Sequence, residues 1–245
     1  MTSPRSLARL AGVLYLGTSV LFVFAVRVRG GIIKSGDAAA TADNIRASAT
    51  LFRVALVADL LSWVGFLLMA FALYHLLKHV DQLAAFAMVI LVVVMVTVGY
   101  LNGLNQYSAL TLATSAKYTT GFGQAESSEL VLLFTNIQSN GLDIQELFWG
   151  LWLFPLGYLV IKSAYVPKVL GVLLIIAGLS WIAEFFAILL APDLPGFASI
   201  LGLGELIFAA WLVVKGVSVP VPKASPLALD NPISIDAREW PKQRE

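Results

Sequence analysis

The stretch Pro167–Pro192, PKVLGVLLIIAGLSWIAEFFAILLAP, decides the fold. Crossing a hydrocarbon core of roughly 30 Å takes about 20 helical residues, and the apolar run between these prolines is long enough. Proline suits the first turn of a helix and ends one from beyond its last residue, so the segment reads as one bounded membrane span. One residue is out of keeping with it. Glu184 places a carboxylate among Trp, Phe, Ile and Leu, where an ionisable group costs about 2.5–3.5 kcal/mol on insertion scales.

The rest of the chain agrees with this span. Of 245 residues, 59% are hydrophobic and only 13% charged, with mean hydropathy +0.85, far from soluble composition. The expected fold is an all-α, polytopic integral membrane bundle of about six spans, near 7–26, 53–77, 83–113, 144–162, 167–190 and 198–214. Residues 1–215 read as a single membrane domain, and 216–245, rich in Pro, Ser and charge, as a disordered polar tail. A net charge of +1 with no basic patch excludes a nucleic-acid partner. Without cysteine there is no disulfide or thiolate metal site. The first span, preceded by Arg5 and Arg9, is too long for a secretory signal and reads as retained.

Lys and Arg near the span ends set orientation. Arg5, Arg9, Lys78, Lys162, Lys168, Lys215 and Lys223 fall on the side of the termini, against Arg27, Arg29, Lys34, Arg46, Arg53 and Lys117 on the other. The bias predicts cytoplasmic N- and C-termini in a cell membrane. Two further segments lie on the face opposite the termini. Asp37 is placed to cap a short amphipathic helix through Ala38, Ala42, Ile45 and Ala49, and Ser127 or Ser128 to cap another, interrupted near Asn140-Gly141. Pro155 should kink the fourth span.

The intramembrane polar residues carry the functional reading. Asp59, Glu146, Glu184 and Glu205 sit in four different spans, and Asn102, Asn105 and Gln106 share one face of the third. Counting depth along alternating spans gathers them in the half of the bilayer away from the termini. Small residues share their faces: Ala55 and Ser62 with Asp59, Ser139, Gly150 and Gly157 with Glu146, Ala177, Ser180, Ala187 and Ala191 with Glu184, and Ala198, Gly202 and Ala209 with Glu205. Small residues let membrane helices approach, so these carboxylates should face the bundle interior, and Gly99-xxx-Gly103 adds another close approach. The cations nearest that level are Arg53, Arg27 and Arg29. The expectation is one shared polar chamber, with Asp59, Glu184, Glu205, Glu146, Asn102, Asn105, Gln106 and Arg53 binding a small cationic solute or protons. In the alternative, the acids are structural glue in an accessory membrane protein with a protein partner of unknown identity.

Other signals are weaker. His75 and His79 are i, i+4 at an interface without a third ligand, which reads as an interfacial cluster and not a metal site. They lie on the opposite side from the acids, which removes the usual base–nucleophile pair and leans against an enzyme. No cofactor motif is present, because Gly121-Phe122-Gly123 and Gly202-Leu203-Gly204 lack the context of a nucleotide loop. Trp149, Trp152, Trp181, Tyr107 and Tyr165 read as interfacial anchors in contact with membrane lipid.

LARLAGVLYL (7–16), GDAAATADNI (36–45), FRVALVADLL (52–61), VPKVLGVLLIIAGLSWIAEFF (166–186) and GELIFAAWLVVKG (204–216) together resemble the bacterial membrane proteins grouped as domain of unknown function 4386. The likeness runs from about Leu7 to Gly216. It implies a multi-span helical membrane protein and no particular activity. Members often carry Asp at the position of Glu184 and His at that of Trp152. Glu retains the carboxylate, whereas Trp152 removes any His-dependent role.

Overall fold

The computed structural model describes residues 3–191, 196 and 202–217, and the regular structure among them is helical throughout. Helix α1 (Pro4–Ile32) begins where the Ser3 hydroxyl accepts from the Ser6 N–H at 3.2 Å, with Pro4 in the first turn. The short α2 (Ala38–Ala47) is capped as its sequence predicts, the Asp37 carboxylate accepting from the Ala40 N–H at 2.9 Å. Helices α3 (Ala49–Leu77) and α4 (Gln82–Thr114) follow, and Asp81 caps α4 through the Ala84 N–H at 3.1 Å. Beyond them come α5 (Ala116–Phe122), α6 (Gln124–Leu151), α7 (Leu153–Ser163), α8 (Lys168–Leu190) and α9 (Leu203–Val214).

Among the described residues, five stretches are long and apolar enough to cross a membrane: α1, α3, α4, α6 continued into α7, and α8. Helix α9 is apolar but shorter. The chain is therefore an all-α membrane bundle. Ala198, where the sixth span was expected to begin, lies outside the described residues, as do Pro192, Pro195 and the tail from 218 onward.

Two expectations at the fourth span need correction. Ser127 and Ser128 do not cap a helix; α6 starts earlier, after Gly123 at φ 93°, a backbone conformation that suits glycine. Both hydroxyls instead donate to carbonyl oxygens, Ser127 to Tyr118 at 3.0 Å and Ser128 to Gln124 at 2.9 Å. Nor does Asn140-Gly141 interrupt the helix. A Cβ on Gly141 would collide with Asn102 Oδ1, so this glycine serves a close approach of α4 to α6. The same crossing is held by Asn102 Nδ2, which donates to the Gln138 carbonyl at 2.8 Å. The break falls at Trp152, where Pro155 has no N–H for the Leu151 carbonyl, and the flanking bonds lengthen to 3.3 and 3.4 Å.

The neighbours are α1 with α3 and α9, α4 with α3, α6 and α7, and α8 with α6, α7 and α9. Two pairs of glycines bring α8 against α6 and α7. A Cβ on Gly150 would stand 2.6 Å from the Gly178 carbonyl oxygen, and one on Gly157 would stand 2.8 Å from that of Gly171. Without a hydrophobic drive between helices in lipid, such backbone contact is a main source of association. The large core holds Met69, Leu73, Met88, Met95, Leu156 and Phe208, all buried. A smaller one, at the end away from the N-terminus of α1, seats α2 through Ala42 and Ile45 against Phe52, Leu110 and Val131. Outside, Val20, Leu61, Leu101, Leu104 and Leu179 are each more than half exposed, as a lipid-facing surface requires.

Candidate functional site

The polar residues predicted to converge are divided among three places. The first is a junction of α1, α3 and α4. Arg29, at the end of α1, donates through Nη1 to Asp59 Oδ2 at 3.0 Å and to Gln106 Oε1 at 3.1 Å. All three residues are buried, at 4%, 5% and 1% exposure, so the pair is nearly dry. Arg53, expected beside Asp59, is exposed. It stands one and a half turns away on the same helix, whereas Arg29 reaches Asp59 across the α1–α3 contact. Arg29 Nη2, Asp59 Oδ1 and Gln106 Nε2 have no hydrogen-bond partner among the described residues. Such a donor–acceptor set matches what a buried water satisfies.

The second place lies between α6 and α8, where Asp143, Glu146 and Glu184 are close enough to interact electrostatically. Glu146 Oε2 is buried without a hydrogen-bond partner among the described residues. Asn102 and Asn105 belong to neither group. Asn105 Nδ2 donates to Asn102 Oδ1 at 3.2 Å, and Asn102 is committed to the α4–α6 crossing. Gln145, which sequence reasoning passed over, is fully buried and ties α6 to α4 by donating to the Met95 carbonyl at 2.8 Å.

The third place is a cavity of about 270 Å³, and of the predicted acids only Glu205 lines it. Among the described residues the single shared chamber is thus corrected to a cavity with one carboxylate and two separate polar clusters. Glu205 enters from the first turn of α9. It accepts from the Tyr15 hydroxyl of α1 and, at 2.8 Å, from Trp181 Nε1 of α8. Among the described residues no cation pairs with it. A carboxylate has room for about four hydrogen bonds, so two neutral donors position it and leave acceptor capacity toward the cavity.

Tyr15, Phe22, Trp63, Phe66, Trp149, Trp152 and Trp181 form most of the remaining wall, with Thr18, Ser19 and Ser62 between them. Here a second expectation is overturned. Trp149, Trp152 and Trp181 are cavity walls, and Trp152 is only 1% exposed. The rings support one another edge-on: Trp181 on Trp149 at 5.2 Å, Trp149 on Phe22 at 5.3 Å, Phe22 on Trp63 at 5.8 Å and Trp152 on Phe66 at 5.2 Å. Aromatic faces carry negative potential and attract a cation by about 2 kcal/mol or more where water is excluded. Tyr15 and Trp63 could have been found by their helical spacing to Phe22 and Phe66, had aromatic residues been counted as polar partners for the acids.

At the far end of the bundle, His79 Nε2 meets the Tyr165 hydroxyl at 2.7 Å, while Lys162 and Tyr158 donate to Asp81 at 3.1 Å each. The Asp81 carboxyl is held below the ordinary carboxylate range, first by the Ala84 N–H and then by Lys162 and Tyr158. Among the described residues no group of three or more His, Cys, Asp or Glu is arranged to hold a metal ion.

Residues 10–216 match the family model described as Domain of unknown function (DUF4386). An uncharacterized protein of Archaeoglobus fulgidus is 43% identical over 81 residues, covering 31% of this chain and 46% of that relative. The matched region thus spans less than half the length of the relative. No solved structure matches.

Proposed function

This chain belongs to the DUF4386 family, and on that premise we propose that its bundle binds a small positively charged solute inside the membrane and moves it, or protons with it, across. The observation that carries the reading is Glu205, a carboxylate that pairs with no cation among the described residues, set by Tyr15 and Trp181 into the wall of an aromatic cavity. An intramembrane acid of this kind is by default a functional-site hypothesis. Asp143, Glu146 and Glu184, between α6 and α8, would provide further acceptors along a route for protons. We place the protein in the cell membrane with both termini cytoplasmic, residues 1–215 as one membrane domain and the rest as a polar extension.

The test is a thermal-shift screen of the purified full chain against small organic cations. A ligand that binds only the folded state raises the unfolding temperature by mass action. The reading expects a stabilising cation whose effect is lost in Glu205→Gln. A full panel without any shift that Glu205→Gln alters would overturn it.

A second reading is favoured by the first polar cluster. Asp59 is already paired with Arg29, so its role is that of structural glue between α1 and α3. An accessory protein built on such contacts would lose stability, not solute binding, when they are removed.

A further inference from the structure

We propose that the cavity's ligand is a lipophilic monovalent organic ammonium, tertiary or quaternary, that enters from the lipid between α1 and α9. The inference rests on the reading of Glu205 as the charge that recognises the solute, and it names the chemistry of that solute.

Four features of the cavity restrict the ligand. Among the described residues the wall carries one carboxylate, which balances one positive charge, so a diamine would leave a second charge unpaired in an apolar site, at a cost that disfavours it. A bare metal ion prefers several charged or imidazole ligands, and among the described residues no group of three or more His, Cys, Asp or Glu is arranged to hold one. The wall's three aliphatic hydroxyls spend their protons on backbone carbonyls, and the Tyr15 hydroxyl donates to Glu205. Thr18 and Ser19 donate to the Tyr15 carbonyl at 2.9 and 2.8 Å, and Ser62 to the Asp59 carbonyl at 2.6 Å. A substituted ammonium spreads its charge over alkyl groups that suit the aromatic faces forming most of the wall.

Size and access complete the argument. A volume near 270 Å³ lies just under the range of about 300–1,000 Å³ that holds drug-sized ligands, so the solute is small. Val23 of α1 and Leu203 and Leu206 of α9 line the cavity yet are 53%, 52% and 41% exposed on the apolar outside of the bundle. Among the described residues the opening therefore lies on the apolar outside of the bundle, the surface a bilayer would cover. A ligand that partitions into the bilayer reaches it directly, and a strongly hydrated ion does not.

Intrinsic fluorescence tests this, because Trp63, Trp149, Trp152 and Trp181 line the cavity and are four of the six tryptophans. The purified full chain is titrated with benzyltrimethylammonium, with its neutral isostere neopentylbenzene corrected for micelle partition, with 1,4-diaminobutane and with potassium. Saturable binding of the ammonium is expected, with the isostere weaker by about tenfold or more and no response to the other two. Phe22→Leu should weaken the ammonium and spare the isostere, which keeps the test informative if Glu205→Gln fails to fold. Equal binding of isostere and ammonium would overturn the inference. Glu205-dependent binding of the diamine or potassium without the ammonium would also overturn it while leaving the broader cation reading standing. Absence of any Glu205-dependent cation binding would remove both.

Discussion

Arg29 reaches Asp59 at 3.0 Å across the contact between α1 and α3, and both side chains are buried, at 5% and 7% exposure. The pair uses one nitrogen of the guanidinium and one oxygen of the carboxylate. Desolvating two charges offsets most of their attraction, so the pair as a whole contributes little net stability, but breaking it leaves a lone buried charge.

Asp59→Leu and Arg29→Met are therefore each expected to destabilise the bundle by about 3–5 kcal/mol, and the double variant to recover most of that loss. Denaturant unfolding in mild detergent measures the cycle. Singles that unfold like the wild type would mean that water already solvates the pair.

The glycine contact between α6 and α8 predicts a second effect. Gly178→Ala would put a Cβ 2.8 Å from the Gly150 carbonyl oxygen, backbone that cannot turn aside. The helices must separate, at a cost of about 1–3 kcal/mol read as a lower unfolding temperature. By contrast, Gly17→Ala meets nothing within 4 Å and is expected to change stability by about 0.5–1 kcal/mol at most, in the favourable direction. A reversal of that order would show that the α6–α8 contact is looser than described.

Asp81 sets a pH dependence at the bundle end. Its carboxyl is held below the usual range in the folded protein, so the unfolded chain takes up the proton at higher pH than the folded one. The stability this group contributes is present above the usual carboxylate pKa and disappears as pH falls through the lowered folded value. Asp81→Asn removes it. The gap in unfolding temperature between wild type and Asp81→Asn is expected to close as pH is lowered from neutral through that window; a gap that widens contradicts the assignment. Asp81 also caps α4, and Asn is itself a good cap, so the comparison isolates the charge.

Much of this architecture was legible in the sequence because membrane spans announce themselves by length and hydropathy, and caps such as Asp37 by chemistry. Small-residue faces also bear on Glu146 and Glu205, since Gly150 and Ala209 on those faces are buried. What periodicity could not supply was the lateral order of the helices. Depth along the chain put Asp59 and Glu184 at one level, yet Asp59 belongs to the α1–α3–α4 junction and Glu184 to the α6–α8 side. The same limit hid the partners of Glu205. Tyr15 and Trp181 come from helices distant in sequence, and Trp near a span end reads equally well as a lipid anchor until its neighbours are known. Gly141 misled for a related reason: a helix-breaking residue by propensity is, in a membrane bundle, also the residue that admits a neighbour such as Asn102.

The most direct test of the central claim is a calorimetric titration of benzyltrimethylammonium into wild type, Glu205→Gln and the Arg29→Met/Asp59→Leu double variant. If one carboxylate in an aromatic cavity recognises the solute, Glu205→Gln weakens binding by about tenfold or more while the double variant binds like the wild type. Binding that survives in Glu205→Gln and is lost in the double variant would contradict the account and move recognition to the α1–α3–α4 junction.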